Sequence, residues 1–213
     1  MKDYVVVKNV LPIDICNELV KSGEKNLKKA TVGGGKIKPH MRDGNVCFFK
    51  YSWPIMQSVN NIIIPIINNV IKEQNWNIEI DKTYPYRDAQ YTSYNVGGHY
   101  KWHSDVLKNA EKHPDNETML KRTVSVTILL SEPNKDFVGG EFEIKNNYEK
   151  YCNKVNELTN VGDMIVFKSL LKHRVNTIES GCRKSLVIWF LSDEDTINNM
   201  VRFNNDLIPK IYR

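Results

Sequence analysis

The residues best suited to chemistry in this chain are His103, Asp105, His173 and Arg183. His103 and Asp105 stand two apart in Tyr-Asn-Val-Gly-Gly-His-Tyr-Lys-Trp-His-Ser-Asp, residues 94–105. Alternate side chains of a strand share a face, so on a strand this pair projects one way with Cα atoms about 6–7 Å apart. One imidazole nitrogen and one carboxylate oxygen can then meet on a single cation. His173, from a different strand, offers the third ligand. Two histidines and one carboxylate on one face leave further coordination positions open, which suits non-haem iron(II) bound with a co-substrate. By itself His-x-Asp is a weak signal, since two polar residues at that spacing ordinarily line a solvated strand face. The same donor set can also hold zinc in a hydrolase.

Arg183 separates these readings. It stands ten residues beyond His173, at the start of Arg-Lys-Ser-Leu-Val-Ile-Trp-Phe. A guanidinium there can grip a carboxylate through two parallel hydrogen bonds, which an ammonium cannot do as specifically. Charge balance supports the pairing. A divalent iron with one aspartate keeps one positive charge, Arg183 adds another, and a dianionic 2-oxo acid neutralises both. A zinc hydrolase would leave Arg183 without a task. A lone arginine at a strand start, read without this context, is a surface ion pair.

The remaining polar candidates read as structural. His40 and His113 sit in polar loops as solvated bystanders, and His99 belongs to the Gly-Gly-His turn. Asp163, in Val-Gly-Asp, reads as a turn residue, and Glu141 as a possible rim residue. Gly97 and Gly98 permit the turn that presents the His103 strand. Tyr100, three residues from His103, is expected to pack on the opposite sheet face or at its edge.

These residues need a rigid β-framework, and the second half of the chain supplies one. From about Asp88, short apolar-alternating runs (89–95, 100–103, 122–130, 140–145, 164–168, 173–177 and 183–191) are separated by turn residues, the signature of a β-sandwich or barrel. Ahead of them, Tyr-Val-Val-Val reads as a strand. A helix is expected from Pro12 and Asp14 to about Lys29, and a second from Pro54 to Gln74 that Pro65 bends or splits. The tail from Asp195 reads as one more short helix. The fold class is α+β, a single domain over 1–213. Its parts are a helical N-terminal support over 1–87, a β-core over 88–192 and a C-terminal extension over 193–213.

With 213 residues, 41% hydrophobic and 26% charged, the composition is that of a globular domain with a sizeable core. The N-terminus lacks the apolar core of a signal peptide, and the most apolar stretch, 62–71, is too short to span a bilayer, so no membrane association and a cytoplasmic location are expected. The four cysteines are scattered without a Cys-x-x-Cys pair, which reads as reduced structural thiols. The net charge of +5 permits an acidic partner without arguing for one. Lys25, Lys28, Lys29, Lys36 and Lys38, the only mild concentration, read as a solvated helix face. Oligomeric state is left open.

The ordered motifs resemble the prolyl 4-hydroxylase-like branch of the 2-oxoglutarate/Fe(II) dioxygenases, the PKHD-type hydroxylases among them. The matching pieces are residues 94–105, Arg-Thr-Val-Ser-Val-Thr-Ile-Leu-Leu-Ser (122–131), Gly-Gly-Glu-Phe (139–142), Gly-Asp-Met-Ile-Val-Phe (162–167), His-Arg-Val (173–175) and Gly-Cys-Arg-Lys-Ser-Leu-Val-Ile-Trp-Phe (181–190), with Met-Arg-Asp-Gly-Asn (41–45) upstream. The resemblance implies a double-stranded β-helix (jelly-roll) core buttressed by the N-terminal helices. It implies Fe(II), 2-oxoglutarate and O2 as reactants, succinate, CO2 and a hydroxylated product, and ascorbate as a stimulatory reductant. It places His103, Asp105 and His173 on the iron, Arg183 on the distal carboxylate, Tyr94 on the co-substrate and Trp189 near the metal pocket. Leu129 departs from the pattern: relatives of the animal prolyl hydroxylase type carry a tyrosine there that helps bind the distal carboxylate. Thr127, on the same strand face, is the candidate replacement. A protein or peptide substrate, with prolyl the leading side chain, follows from the resemblance, with 33–45 and 108–121 as the lid. Free amino acids, oxidative nucleic-acid demethylation by the same chemistry, and a non-catalytic jelly-roll binding module are the competing readings.

Overall fold

The computed structural model describes residues 2–32, 35–78, 80, 88–106, 111–112, 119–145 and 152–193. His113, the tail from Asp195 and most of the 108–121 segment lie outside the described residues.

The larger sheet places Tyr4–Val7, Met164–Lys168, Met119–Leu129, Arg183–Asp193, Asp88–Tyr94, Asn45–Lys50 and Lys28–Lys29 side by side, with Glu111–Lys112 added to Met119–Leu129. A second sheet runs Asn153–Lys154, Phe142–Lys145, Lys172–Val175, His99–His103, Arg42–Asp43. Phe137–Gly139 and Ile178–Gly181 form a separate pair. The pairings within both sheets are antiparallel. Residues before 88 therefore contribute strands to both sheets as well as helices.

Period-two alternation explains how the larger sheet is covered. Val124, Val126, Ile128, Leu186, Ile188, Phe190, Met164 and Val166 share one buried face with Leu19 and with Met56, Val59, Ile63 and Ile67 of the helices. The intervening residues point the other way. There Leu129, Ile165, Phe167 and Tyr94 meet Phe142, Ile144 and Val175 of the smaller sheet. Between those apolar patches the inward face of the three central strands is polar. Gln90, Thr92, Ser125, Thr127, Arg183 and Ser185 are all buried there. A sheet with one largely apolar face and a polar centre on its inner face points to a site between the layers.

The first helix, Ile13–Gly23, is shorter than expected. A turn at Glu24–Asn26 follows, and Lys28–Lys29 pair with Val46 and Asn45 as an edge strand. Gly23 lets the Tyr91 ring pack against the end of the helix, since a Cβ there would come within 2.5 Å of it, and the chain turns extended at Leu27 (ψ 134°). The Tyr91 hydroxyl then donates to Glu24 (2.6 Å). Of the lysines expected on a helix face, Lys28 and Lys29 guard a sheet edge, and Lys29 pairs with Asp43 at 2.7 Å. The second helix, Pro54–Glu73, runs unbroken through Pro65. Pro65 and Asn61, whose carbonyl it leaves unbonded, are both exposed, so water can satisfy that carbonyl. A mid-helix proline costs about 3 kcal/mol. Met56, Val59, Ile63, Ile67, Val70 and Ile71 are buried at roughly 1.5–3 kcal/mol each, which outweighs that cost. Among the described residues no helix is long and apolar enough to cross a membrane.

Candidate metal centre and co-substrate site

A β-bulge shapes the centre. His173 pairs with His103, and Val175 with Tyr100, so the His99–His103 strand holds one more residue than its partner over this interval. A bulge reverses the side-chain alternation beyond it. Tyr100 therefore faces the same side as His103, and the two rings stack at 3.5 Å with planes 17° apart. This corrects the expectation that Tyr100 packs on the opposite face. Trp102 points away, flanked by the Lys145 ammonium at 4.6 Å and the Arg174 guanidinium at 4.8 Å.

The strand ends at His103, so Asp105 reaches the site from the segment after it and not from a shared strand face. Its backbone N–H donates to the Ser169 carbonyl (3.0 Å). The Ser125 hydroxyl donates to its Oδ2 (2.8 Å) and also contacts the Ser169 hydroxyl (2.8 Å). The result is a tight cluster. Asp105 Oδ1 lies 3.7 Å from His103 Nε2 and Oδ2 lies 3.5 Å from His173 Nε2. One ligand atom from each of the three residues falls within 4.8 Å of the others.

Both imidazoles are oriented alike. Nδ1 of His103 lies 2.8 Å from the Lys101 carbonyl, and Nδ1 of His173 lies 3.1 Å from the Leu171 carbonyl. A carbonyl only accepts, so each Nδ1 carries the proton and each Nε2 presents a lone pair to the centre. Burial, and after it the neighbouring His173, pushes His103 down to about 3, which keeps the ring neutral. Burial works against the Asp105 charge, but His173, His103, the Trp189 indole and the Ser125 hydroxyl together hold its carboxyl below the usual range. Two neutral imidazole lone pairs and one buried carboxylate fit an iron(II) ion. The Phe167 ring, edge-on to His173 at 4.8 Å, closes one side.

Arg183 is only 2% exposed. Its Nη1 donates to the Ser185 hydroxyl (3.3 Å). Among the described residues no carboxylate lies within ion-pair distance of it. Burial pulls its pKa down to about 10, so it stays charged at neutral pH. An isolated buried cation is costly unless an anion joins it. Space is kept beside it by Gly140, at φ 62°, where a Cβ would come within 3.0 Å of Arg183 Cδ and 2.3 Å of Ile178 Cδ1. A cavity of about 280 Å³ is lined by Arg183 and Gly140, with Leu129, Phe142 and Leu158 also in its wall.

Tyr94 pairs in register with Arg183, and its hydroxyl accepts from Arg42 Nε (3.3 Å). Thr127 lies on the inner face with Ser125 and Leu129, and no hydrogen bond joins it to Arg183 among the described residues. Leu129 is buried in the inter-sheet core. Trp189 lies beneath the Arg122 guanidinium, 4.0 Å away. Asp163 is a turn anchor, accepting from Lys8, Asn9, Thr159 and Asn160. Glu141 pairs with Lys154 (2.8 Å) and lines the cavity wall. His40 is exposed, and His99 Nδ1 lies 3.1 Å from the Gly97 carbonyl. Ser125, Ser169 and Ser185 escaped the sequence reading. For Ser125 and Ser185 the signal was available in the two-residue spacing from Thr127 and Arg183.

Comparison with known proteins agrees with this geometry. Residues 89–191 match the family described as the 2OG-Fe(II) oxygenase superfamily. A PKHD-type hydroxylase of Psychrobacter sp. (strain PRwf-1) is 34% identical over 103 residues, 48% of this chain and 37% of that protein. Another, of Colwellia psychrerythraea, is 34% identical over 97 residues, 46% of this chain and 39% of that protein. The chain thus spans less than half the length of these two relatives. Among solved structures, a Pseudomonas putida prolyl-4-hydroxylase superposes with a TM-score of 0.62 at 16% identity, covering 88% of this chain and 91% of the other. A Trichoplax adhaerens prolyl hydroxylase, solved with a hypoxia inducible factor peptide fragment, superposes with a TM-score of 0.63 at 16% identity, covering 92% and 86%. At such identity the likeness is one of fold. Residues 89–191 of this chain are therefore similar to the 2OG-Fe(II) oxygenase superfamily and, in sequence, to the PKHD-type hydroxylases.

Proposed function

We propose that the protein is an Fe(II)- and 2-oxoglutarate-dependent dioxygenase that hydroxylates a C–H bond, with a prolyl-type peptidyl substrate as the leading class. The observation that carries this reading is the pairing, in one inter-sheet space, of a His₂-carboxylate cluster with a buried guanidinium that has no carboxylate partner among the described residues. His103, Asp105 and His173 would hold the iron through two Nε2 atoms and one carboxylate oxygen. Iron, when bound there, supplies the oxidative chemistry in which 2-oxoglutarate and O2 become succinate, CO2 and a hydroxylated product. Arg183 orients the co-substrate by gripping its distal carboxylate. Tyr94 and Thr127 supply hydroxyls along the same inner face. The apolar wall of Leu129, Phe142 and Phe167 excludes water. The two facing antiparallel sheets are read as the halves of a jelly roll. Strands from before residue 88 in both sheets support one domain over the whole chain. A zinc hydrolase would bury the same arginine without an anion to bind.

A peptidyl substrate is supported by the fold shared with prolyl hydroxylases, one of which was solved with a peptide fragment. Anaerobic addition of Fe(II) and 2-oxoglutarate should produce a metal-to-ligand charge-transfer band that Asp105→Ala and His173→Ala abolish. A band that survives in either variant would overturn the ligand assignment. Substrate-stimulated succinate formation on a peptide array, set against oligonucleotides, tests the substrate class.

A further inference from the structure

The site holds a second buried guanidinium. Arg42 is 7% exposed and stands opposite Tyr100 in the pairing of Arg42–Asp43 with His99–His103. Its guanidinium carbon lies 4.6 Å from the centre of the Tyr100 ring, the ring that stacks on His103. Arg42 is therefore one aromatic ring away from the metal centre. Its hydrogen bonds go to neutral acceptors and are long: Tyr94 Oη at 3.3 Å, Gln90 Oε1 at 3.5 Å and the Thr31 carbonyl at 3.5 Å. Among the described residues no carboxylate lies within ion-pair distance. The adjacent Asp43 is bound by Lys29 instead.

Charge balance gives this residue a meaning beyond orienting Tyr94. If the proposed function holds, Asp105 and a dianionic co-substrate neutralise iron and Arg183 together, and Arg42 is left with one uncompensated charge. A buried cation in that condition is costly despite its hydrogen bonds, and an arriving anion relieves that cost. We propose that Arg42 binds a carboxylate of the substrate, so that the oxidised carbon and a free carboxylate belong to the same residue. The substrate is then a free amino acid or the C-terminal residue of a peptide, and not an internal residue of a chain. A planar carboxylate matches the guanidinium fork. A nucleic-acid strand would need a series of cations along its backbone, and Lys29 beside the site is already committed.

The test is calorimetric titration of the anaerobic Fe(II)–2-oxoglutarate complex with N-acetyl-L-proline and N-acetyl-L-prolinamide. Wild type should bind the acid at least tenfold tighter than the amide. Arg42→Gln should bring the two within twofold, and Arg42→Lys, which keeps the charge without the fork, should fall between. The charge-transfer band, recorded on the same samples, reports separately on iron and co-substrate binding. Its absence in wild type counts against the proposed function, whereas the acid–amide comparison addresses Arg42. Parallel titration with L-proline and L-prolinamide distinguishes a free amino acid from a peptide end, and a preference for either acid over its amide upholds the inference. Equal binding of acid and amide by wild type, binding of neither, or an acid preference that persists in Arg42→Gln would overturn it.

Discussion

The Tyr100 ring stacks on the His103 imidazole at 3.5 Å although the two stand three apart in one strand, an arrangement made possible by the bulge opposite Val175 and His173. The stack fixes the plane of a ring whose Nδ1 is already held by the Lys101 carbonyl. Supports of this kind are worth about 10–100-fold in metal affinity. Tyr100→Leu should weaken Fe(II) binding by about tenfold, whereas Tyr100→Phe keeps the stack and should bind as wild type does. Anaerobic Fe(II) titration measures both, and equal affinity in Tyr100→Leu would remove the stack from the metal site.

Ser125 is the donor that steers the Asp105 carboxylate. Without it, Oδ2 keeps its charge but loses a fixed direction, and the Ser169 hydroxyl loses a partner. Ser125→Ala should lower Fe(II) affinity by about 10–100-fold while the near-UV circular dichroism stays that of the wild type. Thr127→Ala, one alternation further along, serves as a comparison. It should spare the metal, and an equal loss in both variants would mean that the strand, not the hydroxyl, matters.

The contrast between residues that were legible in the sequence and those that were not has a physical cause. Val124–Ile128 and Leu186–Phe190 alternate strictly, and their strands are where that alternation puts them. His103, Asp105 and His173 were legible as donor types, and their convergence is in the structure. Tyr100 was not, because a bulge is a property of two strands in register and leaves no mark on either alone. Lys28 and Lys29 continue a helical pattern locally, but pairing with the edge of Asn45–Lys50 decides otherwise. Pro65 does not split its helix for a related reason, since its effect depends on whether the freed carbonyl meets solvent. Ser185 was within reach: it stands one alternation beyond Arg183.

Arg183 sets stability against function. Its guanidinium is buried without a carboxylate among the described residues, so the ligand-free protein carries that cost. Arg183→Met, close in length and apolar, should stabilise the ligand-free protein by roughly 1–3 kcal/mol. It should also weaken 2-oxoglutarate binding by about 100-fold, on the order of the 2–5 kcal/mol lost when one partner of a buried charged pair is removed. Urea unfolding and co-substrate titration are the two measurements. A variant that is less stable and binds 2-oxoglutarate normally would place the role of Arg183 in packing.

Asp163 ties the N-terminal strand to the core. Its side chain is fully buried and accepts from the Lys8 ammonium and from the backbone N–H groups of Asn9, Thr159 and Asn160. Burial opposes its charge, but these donors outweigh that and hold the carboxyl below its ordinary value of 3.8. A carboxylate depressed in the folded state stabilises fully above that ordinary value, and the contribution is lost as pH falls through the folded one. Wild type should therefore lose stability to urea on acidification from about pH 5 to pH 3 more steeply than Asp163→Asn. The variant should be weaker by roughly 2–4 kcal/mol at pH 7, because an amide offers a single acceptor oxygen to four donors and no charge to Lys8. Parallel pH profiles in the two proteins would show that this carboxylate stays ionised, or stays irrelevant, throughout that range.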